Sequence, residues 1–305
     1  MKRFGKFFIA AFVSLFVLGN AYAQDLGEAT EIYNNAATAL NENKAAEALE
    51  GFQKALSLAE AAGEEGAQLA ADCKGIIPKI LVKLGKDAAA AKDMDGAVAK
   101  LNEAVAKATE YGNAEVAKEA KELIPMIYLT EGNALLNEKK FAEAMVEYQN
   151  VLNIDGENGV AWLRLGMCKA NTGDADGAIE AFTKASEFGQ KANADKQLGT
   201  LYAKKAQAAY KAKDNQGTLD NVLKAKEYGY TKVNLYGGMA AFNLKKYDQA
   251  IQLLEGDAST NAKYYLARAY EGKGDNAKAC EFYKQITADK NFGAFATSKV
   301  TALCK

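Results

Sequence analysis

The chain has 305 residues, and its 38 basic and 39 acidic residues give a formal net charge of −1. The sequence contains no histidine, which excludes Ser-His-Asp and Cys-His catalysis and the usual proton shuttle at neutral pH. The four cysteines match no zinc-binding spacing, and the basic residues form no stripe of the kind that nucleic acid requires. We therefore expect no catalytic residue, no metal, no cofactor and no nucleic-acid partner.

The first 23 residues have the pattern of a secretory signal peptide. Three basic residues precede an apolar run over residues 7–18, and "AYA" at 21–23 forms an A-x-A cleavage site. An uncleaved anchor is the alternative, although the run is short for a membrane span. The pattern predicts a mature chain from residue 24 that is exported, to the periplasm or beyond the cell, and that meets a membrane only before cleavage.

The rest of the chain is predicted to be helical throughout. Alanine, leucine, glutamate and lysine dominate, and there are only two prolines. Near the centre, "WLRLG" at 162–166 is followed by "AIEAFTKA" at 178–185, so that Gly166 and Ala178 are 12 residues apart. These segments match W-x2-L-G and A-x3-F-x2-A. The unit resembles the tetratricopeptide repeat (TPR), a pair of antiparallel helices of about 34 residues.

A pair of small residues at the same offset of 12 recurs six more times along the chain. The pairs are Ala36/Ala48, Gly85/Ala97, Gly132/Ala144, Ala206/Thr218, Gly238/Ala250 and Ala267/Ala279. A large apolar residue follows each pair four positions later, and we expect it to fill the gap between that hairpin and its neighbour. The small residues are expected where two helix backbones approach closely.

The resemblance to exported bacterial TPR proteins implies an all-α fold: a right-handed α-solenoid of about seven helical hairpins with a C-terminal capping helix near residues 295–305. We predict one array over 24–305, with two enlarged repeats over 24–124 and more regular repeats and the cap over 125–305. The prolines, Pro78 and Pro125, are predicted to interrupt first helices that are extended by about three turns. Each extension is either a ledge for a partner or simple variation in repeat length.

Repeated residues at the turns predict where the helices end. Asparagine at four first-helix ends is expected to adopt the left-handed conformation, and glycine is expected to stop four second helices. The asparagines are Asn41, Asn137, Asn171 and Asn243, and the glycines are Gly63, Gly112, Gly189 and Gly229. Asp257, where a small apolar residue is expected, predicts a shortened second helix in the sixth repeat.

The cysteines divide into one predicted pair and two free thiols. Cys280 lies in the second helix of the seventh repeat and Cys304 in the predicted cap, which should dock on that repeat. We expect a Cys280–Cys304 disulfide if the protein is exported to an oxidising compartment. Cys73 and Cys168 are expected to be buried and free. The alternative is that all four are small core residues.

By resemblance to the family, the first helices line a concave groove that binds peptides or helices of other proteins. Mapping that face gives Asn133, Met167, Gln207, Met239 and Arg268 in successive repeats, with Tyr210, Phe242 and Tyr264 on the same face. The alternative for the apolar members is packing between helices. We therefore predict an exported interaction scaffold that binds another protein or peptide and is not an enzyme. A structural subunit of a cell-envelope assembly complex is the alternative, and the oligomeric state stays open.

Overall fold

A computed structural model describes the backbone of residues 21–304 and the side chains from Leu26 onwards. Fifteen α-helices make up most of this range, and it contains no strand. The helices are α1 Ala21–Asn41, α2 Ala45–Ala61, α3 Ala67–Ala90, α4 Met94–Glu110, α5 Ala114–Asn137, α6 Phe141–Ile154, α7 Gly159–Thr172, α8 Ala175–Ala185, α9 Lys191–Lys211, α10 Asn215–Glu227, α11 Asn234–Asn243, α12 Tyr247–Leu254, α13 Thr260–Gly272, α14 Asn276–Lys284 and α15 Gly293–Leu303. Most of the predicted signal peptide, residues 1–20, lies outside the described residues.

The helices pair into seven consecutive hairpins, α1–α2 through α13–α14, and α15 follows them. This arrangement confirms the predicted all-α solenoid class. The chain divides into two compact units, one ending at Gly156 and one beginning at Glu157. In the part of the chain that the structure describes, no helix has a stretch long and apolar enough to cross a membrane.

The small-residue pairs lie where the two helices of each hairpin pack most closely. All fourteen residues are buried, including Thr218, whose hydroxyl donates a hydrogen bond to the carbonyl oxygen of Asp214 at 2.6 Å. A Cβ added at Gly166 would lie 2.7 Å from Cδ1 of Phe182, and one added at Gly238 would lie 2.3 Å from Cγ of Leu254. The large residue therefore lies directly over the small residue of its own hairpin, rather than only between neighbouring hairpins.

The turns inside the hairpins differ from the prediction. Asn41, Asn137 and Asn243 are the last residues of their helices and Asn171 lies one residue before the end of α7, but none of them has a positive φ. The left-handed residue stands two positions later in each case. Across the seven turns these residues are Asn43, Lys92, Lys139, Gly173, Lys213, Lys245 and Gly274. The helix makes its last intrahelical hydrogen bond beyond the asparagine, so the reversal of the chain is displaced from it.

The residue after each left-handed position is the N-cap of the second helix. In four hairpins this residue is an aspartate whose carboxylate accepts a hydrogen bond from a backbone N–H three residues later. The four caps are Asp93, Asp174, Asp214 and Asp275, with N–H to oxygen distances of 3.0, 2.9, 2.9 and 3.1 Å. These caps were not predicted, although all four aspartates stand four residues before the second small residue of their hairpin.

Other features of the chain follow the predicted pattern. Pro78 and Pro125 lie inside α3 and α5, which have 24 residues each against 14 in α7. The four glycines predicted to stop second helices all have positive φ. Helix α12 has only 8 residues, as the residues after Leu254 suggested. Helix α9, with 21 residues, is also long, which was not predicted.

Candidate functional site

Eight side chains of the second unit form two neighbouring groups of contacts, which together we call the aromatic platform. They project from the first helices α9, α11 and α13 and from the segment around the start of α15. They are Tyr210, Tyr236, Phe242, Tyr264, Tyr265, Arg268, Phe292 and Phe295. Phe295 is 40 % exposed, and the other seven are half-buried.

The repeat frame explains why these residues come together. Tyr210 and Phe242 each follow the first small residue of their hairpin by four positions, and Tyr236 and Tyr265 each precede it by two. Equivalent positions on successive first helices lie side by side when hairpins stack. A side-chain pattern in register with the small residues therefore produces a continuous surface.

The ring contacts form two groups, one between α9 and α11 and one from α11 to α15. The ring centroids of Tyr210 and Tyr236 are 4.6 Å apart, and those of Phe242 and Tyr265 are 5.5 Å apart. Tyr264 stacks on Phe292 at 4.2 Å. These separations are in the range in which aromatic pairs attract one another. Burial raises the pKa of Tyr265, and the neighbouring tyrosines add to this effect, so its hydroxyl stays uncharged at neutral pH.

Arg268 lies among the rings of the platform. Its guanidinium carbon is 4.6 Å from the centroid of Phe242 and 5.6 Å from that of Tyr264. One of its Nη1 hydrogens is donated to the hydroxyl oxygen of Tyr264 at 3.3 Å. Cation–π contacts of this kind fix the plane of the guanidinium. The arginine is thereby held in one orientation with most of its N–H donors unused by the platform.

A second polar group holds α15 against α13 and α14. Glu271 accepts a hydrogen bond from the hydroxyl of Tyr283 at 2.7 Å and a short one from Lys299. Burial opposes ionisation of Glu271, but these hydrogen bonds and the charges of Lys299 and Arg268 outweigh it and lower its pKa. Burial, with the hydrogen bond to Glu271, raises the pKa of Tyr283. The carboxylate of Glu271 is therefore ionised and already paired.

The predicted groove residues fall into three groups in the structure. Tyr210, Phe242, Tyr264 and Arg268 are brought together in the platform. On the same helices, Gln207 is exposed on α9 and Met239 is half-buried on α11.

The remaining two predicted residues interact within their own hairpins. Asn133 accepts a hydrogen bond from the hydroxyl of Tyr148 at 3.1 Å. The sulfur of Met167 lies 3.8 Å from Nη1 of Arg164, and its backbone carbonyl accepts a hydrogen bond from Asn171. The contact with Tyr148 occupies the amide oxygen of Asn133, which the groove prediction left for a ligand.

Four platform residues were not predicted: Tyr236, Tyr265, Phe292 and Phe295. The first two share one position in the repeat frame, so aligning the first helices on their small residues would have identified them. The two phenylalanines belong to the cap, which has no second helix and therefore no small-residue pair to align.

Two of the four cysteines form a disulfide and two are free thiols. The structure joins Cys280 of α14 to Cys304, just after α15, by a disulfide with Cα atoms 5.6 Å apart. Cys73 and Cys168 are buried and free. Burial raises the pKa of Cys73 to about 12 and that of Cys168 to about 11, so both remain unreactive thiols at neutral pH.

The first unit contains an open cleft of about 730 Å³. Its walls are the end of α4, the N-terminal half of α5 as far as Pro125, and Ile154 at the end of α6. The extension of α5 before its proline therefore forms one side of a concave surface. Its lining is mostly apolar, with Lys118 and Lys121 at its edge. Among residues 21–304 we find no group of three His, Cys, Asp or Glu side chains that could hold a metal ion.

Comparison with known proteins places two parts of the chain in one family. Residues 135–212 and 261–289 each match a tetratricopeptide repeat model. No curated protein sequence matches the chain.

Several solved structures are similar to the chain at low identity. They include YrrB, described as a TPR protein with an unusual peptide-binding site, at 20 % identity over 56 % of this chain and 91 % of that one, with a TM-score of 0.34. They also include MamA, at 22 % identity over 56 % and 93 %, with a TM-score of 0.34. A third is a tetratricopeptide repeat protein of Parabacteroides merdae, at 13 % identity over 92 % and 100 %, with a TM-score of 0.28.

The two matched segments fall on the third, fourth, fifth and seventh hairpins, which share one frame with the other three. Each of the seven hairpins has its buried small-residue pair at an offset of 12 with a large apolar residue four positions later. The family is typically a non-catalytic scaffold for protein interactions. The two matched segments are therefore tetratricopeptide repeats, and the chain is a helical scaffold whose seven hairpins share their frame.

Proposed function

We propose that this protein is an exported scaffold that binds an extended segment of another protein on the aromatic platform. The observation that carries the proposal is the two neighbouring groups of partly exposed rings on three successive first helices and the cap. Monomeric proteins seldom leave such rings partly open to solvent without a binding role. Tyrosine and arginine are also the residue types enriched where binding energy concentrates.

The packing of the platform favours recognition rather than simple filling of the core. Its rings rest on the buried clusters of the fifth to seventh hairpins, where Phe242, Tyr236 and Tyr265 contact the core from its edge. Each ring therefore has one face fixed by the protein and part of its surface open. Ordering these rings when a ligand covers their open part costs little conformational entropy, because the protein already holds them in place.

The proposed location is the periplasm. The signal pattern at residues 1–23 supports export, and Cys280 and Cys304 lie close enough to form the bridge that an oxidising compartment permits. Cell fractionation and the intact mass of the purified protein test this proposal. A mature protein that begins at residue 24 in the periplasmic fraction supports it, and a cytoplasmic protein that retains residues 1–23 contradicts it.

Two exposed apolar residues of the second unit provide a matched test of binding. Phe295 belongs to the platform and is 40 % exposed, whereas Val160 on α7 lies outside it and is 39 % exposed. Mature protein is used to capture partners from the cell envelope, and a partner identified by mass spectrometry is then purified and titrated against each variant. Truncation of an interface anchor typically costs about 2 kcal/mol, so Phe295→Ala should weaken binding about 30-fold.

Val160→Ala should leave the affinity unchanged, and neither variant should alter the melting temperature by more than about 2 °C. Equal affinities for both variants would contradict the proposal that the platform is the binding surface. A parallel loss of stability and affinity in Phe295→Ala would show instead that the ring is a packing residue.

A further inference from the structure

The charges of the two units are opposite in sign. Residues 21–156 contain 13 basic and 23 acidic residues, a net charge of −10, and residues 157–305 contain 22 basic and 16 acidic residues, a net charge of +6. The near-zero net charge of the whole chain hides this division. Because the aromatic platform belongs to the second unit, its surroundings attract an anionic ligand.

Arginine and lysine have different roles in the described part of the chain. All fifteen ion pairs found there are made by lysines, and neither Arg164 nor Arg268 pairs with a carboxylate. The nearby carboxylate of Glu271 is bound by Lys299 and Tyr283 instead. Arg268 is thus a half-buried cation without an ion-pair partner in residues 21–304.

The contacts of Arg268 hold it ready for a planar anion. The guanidinium carbon lies 4.6 Å from the ring centroid of Phe242 and 5.6 Å from that of Tyr264, and the two rings restrict the guanidinium plane. Only one of its five N–H groups donates a hydrogen bond to Tyr264. A carboxylate matches the paired N–H groups of a guanidinium and binds them through two parallel hydrogen bonds. The surrounding rings supply apolar surface for a neighbouring side chain of the same ligand.

We infer that the segment bound by the platform carries an aspartate or glutamate beside an apolar or aromatic residue, and that Arg268 binds its carboxylate. This inference rests on the proposed function and adds the chemistry of the partner. The acidic side chain pairs with the N–H groups of Arg268 that Tyr264 does not use, and its apolar neighbour packs against the exposed ring of Phe295. The net charge of the second unit increases the rate of encounter with such an acidic segment.

The test uses a random library of 12-residue peptides displayed on phage, selected against the mature full-length protein. Peptides that the library enriches are synthesised and titrated against wild type, Arg268→Met, Arg268→Lys and Lys204→Met. Lys204 is exposed on α9 and is not one of the platform residues, so its variant removes one positive charge elsewhere in the same unit. Circular dichroism melting curves check that each variant is folded.

Enriched peptides are expected to contain aspartate or glutamate next to an apolar residue. Loss of a charged, doubly hydrogen-bonded contact should weaken their binding about 10-fold to 100-fold in Arg268→Met. Arg268→Lys should recover only part of this loss, because an ammonium cannot bind both oxygens in the same plane. Lys204→Met should change the affinity less than threefold.

The outcomes separate the inference from the proposed function. Peptides without acidic residues that bind wild type and Arg268→Met equally would overturn the inference and leave the platform as a binding surface. Acidic peptides that Lys204→Met and Arg268→Met weaken equally would show that net charge alone attracts them, which also overturns it. A library that enriches no peptide would overturn both.

Discussion

The close approach of the two helices in each hairpin can be tested with one methyl group. In Gly238→Ala the added Cβ would lie 2.3 Å from Cγ of Leu254 and 2.5 Å from its Cδ2. Cγ is the branch point of that side chain, so it cannot move aside without displacing its helix. Overpacking of this kind costs about 1–3 kcal/mol. Gly75, inside α3, provides the control because a Cβ there would meet no atom within 4 Å.

The control variant should be stabilised. Replacing a helical glycine by alanine gains about 1 kcal/mol when the methyl group has room, so Gly75→Ala should raise the melting temperature by about 2 °C. In Gly238→Ala the same gain is offset by the clash, and the net loss should reach about 2 kcal/mol. The difference between the two variants, about 3 kcal/mol, isolates the contact inside the hairpin.

Repeat proteins need not unfold in one step, so the assay should be local. Hydrogen exchange measured by mass spectrometry on peptides from α11 and α12 reports the free energy of opening of that hairpin. Leu254→Ala should relieve the clash, so the double variant should be more stable than the sum of the single changes predicts. Equal effects of Gly238→Ala and Gly75→Ala on exchange would refute this account of the hairpin.

Three further predictions concern a turn, the bridge and the cap. Lys139 has a φ of 61°, so Lys139→Gly should stabilise the third hairpin by about 0.5–1 kcal/mol in denaturant titrations; a loss of stability would show that its side chain has another role. The Cys280–Cys304 bridge joins residues that are 24 positions apart in the sequence. Replacing both cysteines by serine should therefore destabilise the C-terminal hairpin by about 3 kcal/mol, as measured by hydrogen exchange. Non-reducing peptide mapping that finds both thiols free would contradict the pairing. The pKa of Glu271 is lowered in the folded protein, so the stabilisation of α15 by this carboxylate is fully present above the unfolded pKa of about 4.3 and is lost as pH falls through the folded pKa. Hydrogen exchange in α15 should therefore become faster in acid. This increase should be absent in the double variant Lys299→Met with Glu271→Gln.

The sequence predicted the hairpins well because the constraint on them is local and repeated. A small residue 12 positions before another, with a large apolar residue four later, satisfies close helix packing in one way only. The frame therefore identified all seven hairpins, from Ala36 to Ala279. The shortened α12 and the extended α3 and α5 followed from departures from that frame.

The turn conformations were harder to predict. Asparagine tolerates a positive φ, so Asn137 and its equivalents were the expected left-handed residues. The hydrogen bonds of the helix end decide the position instead, and they place it at Lys139, whose side chain has no preference for it. Propensity was overridden by backbone geometry, which a single sequence does not reveal.

The candidate site was predicted only in part for a similar reason. Counting positions within one repeat indicates which face a side chain lies on, and it assigned Phe242, Tyr264 and Arg268, which contact one another in the structure, to the same face. It does not indicate which side chains take a partner inside their own hairpin, as Asn133 does with Tyr148. Such pairings depend on contacts between helices that the repeat frame leaves open.

The central claim, that the aromatic platform is where this protein binds another, is tested most directly by site-specific photo-crosslinking in living cells. A photoreactive phenylalanine analogue replaces Phe295 on the platform or, as the control, Glu180 on the exposed face of the second helix α8. The account predicts a discrete crosslinked protein at position 295 that is absent at position 180 and is reduced by Arg268→Met. Crosslinks of equal yield at both positions, or none at position 295 when position 180 gives a discrete product, would contradict it.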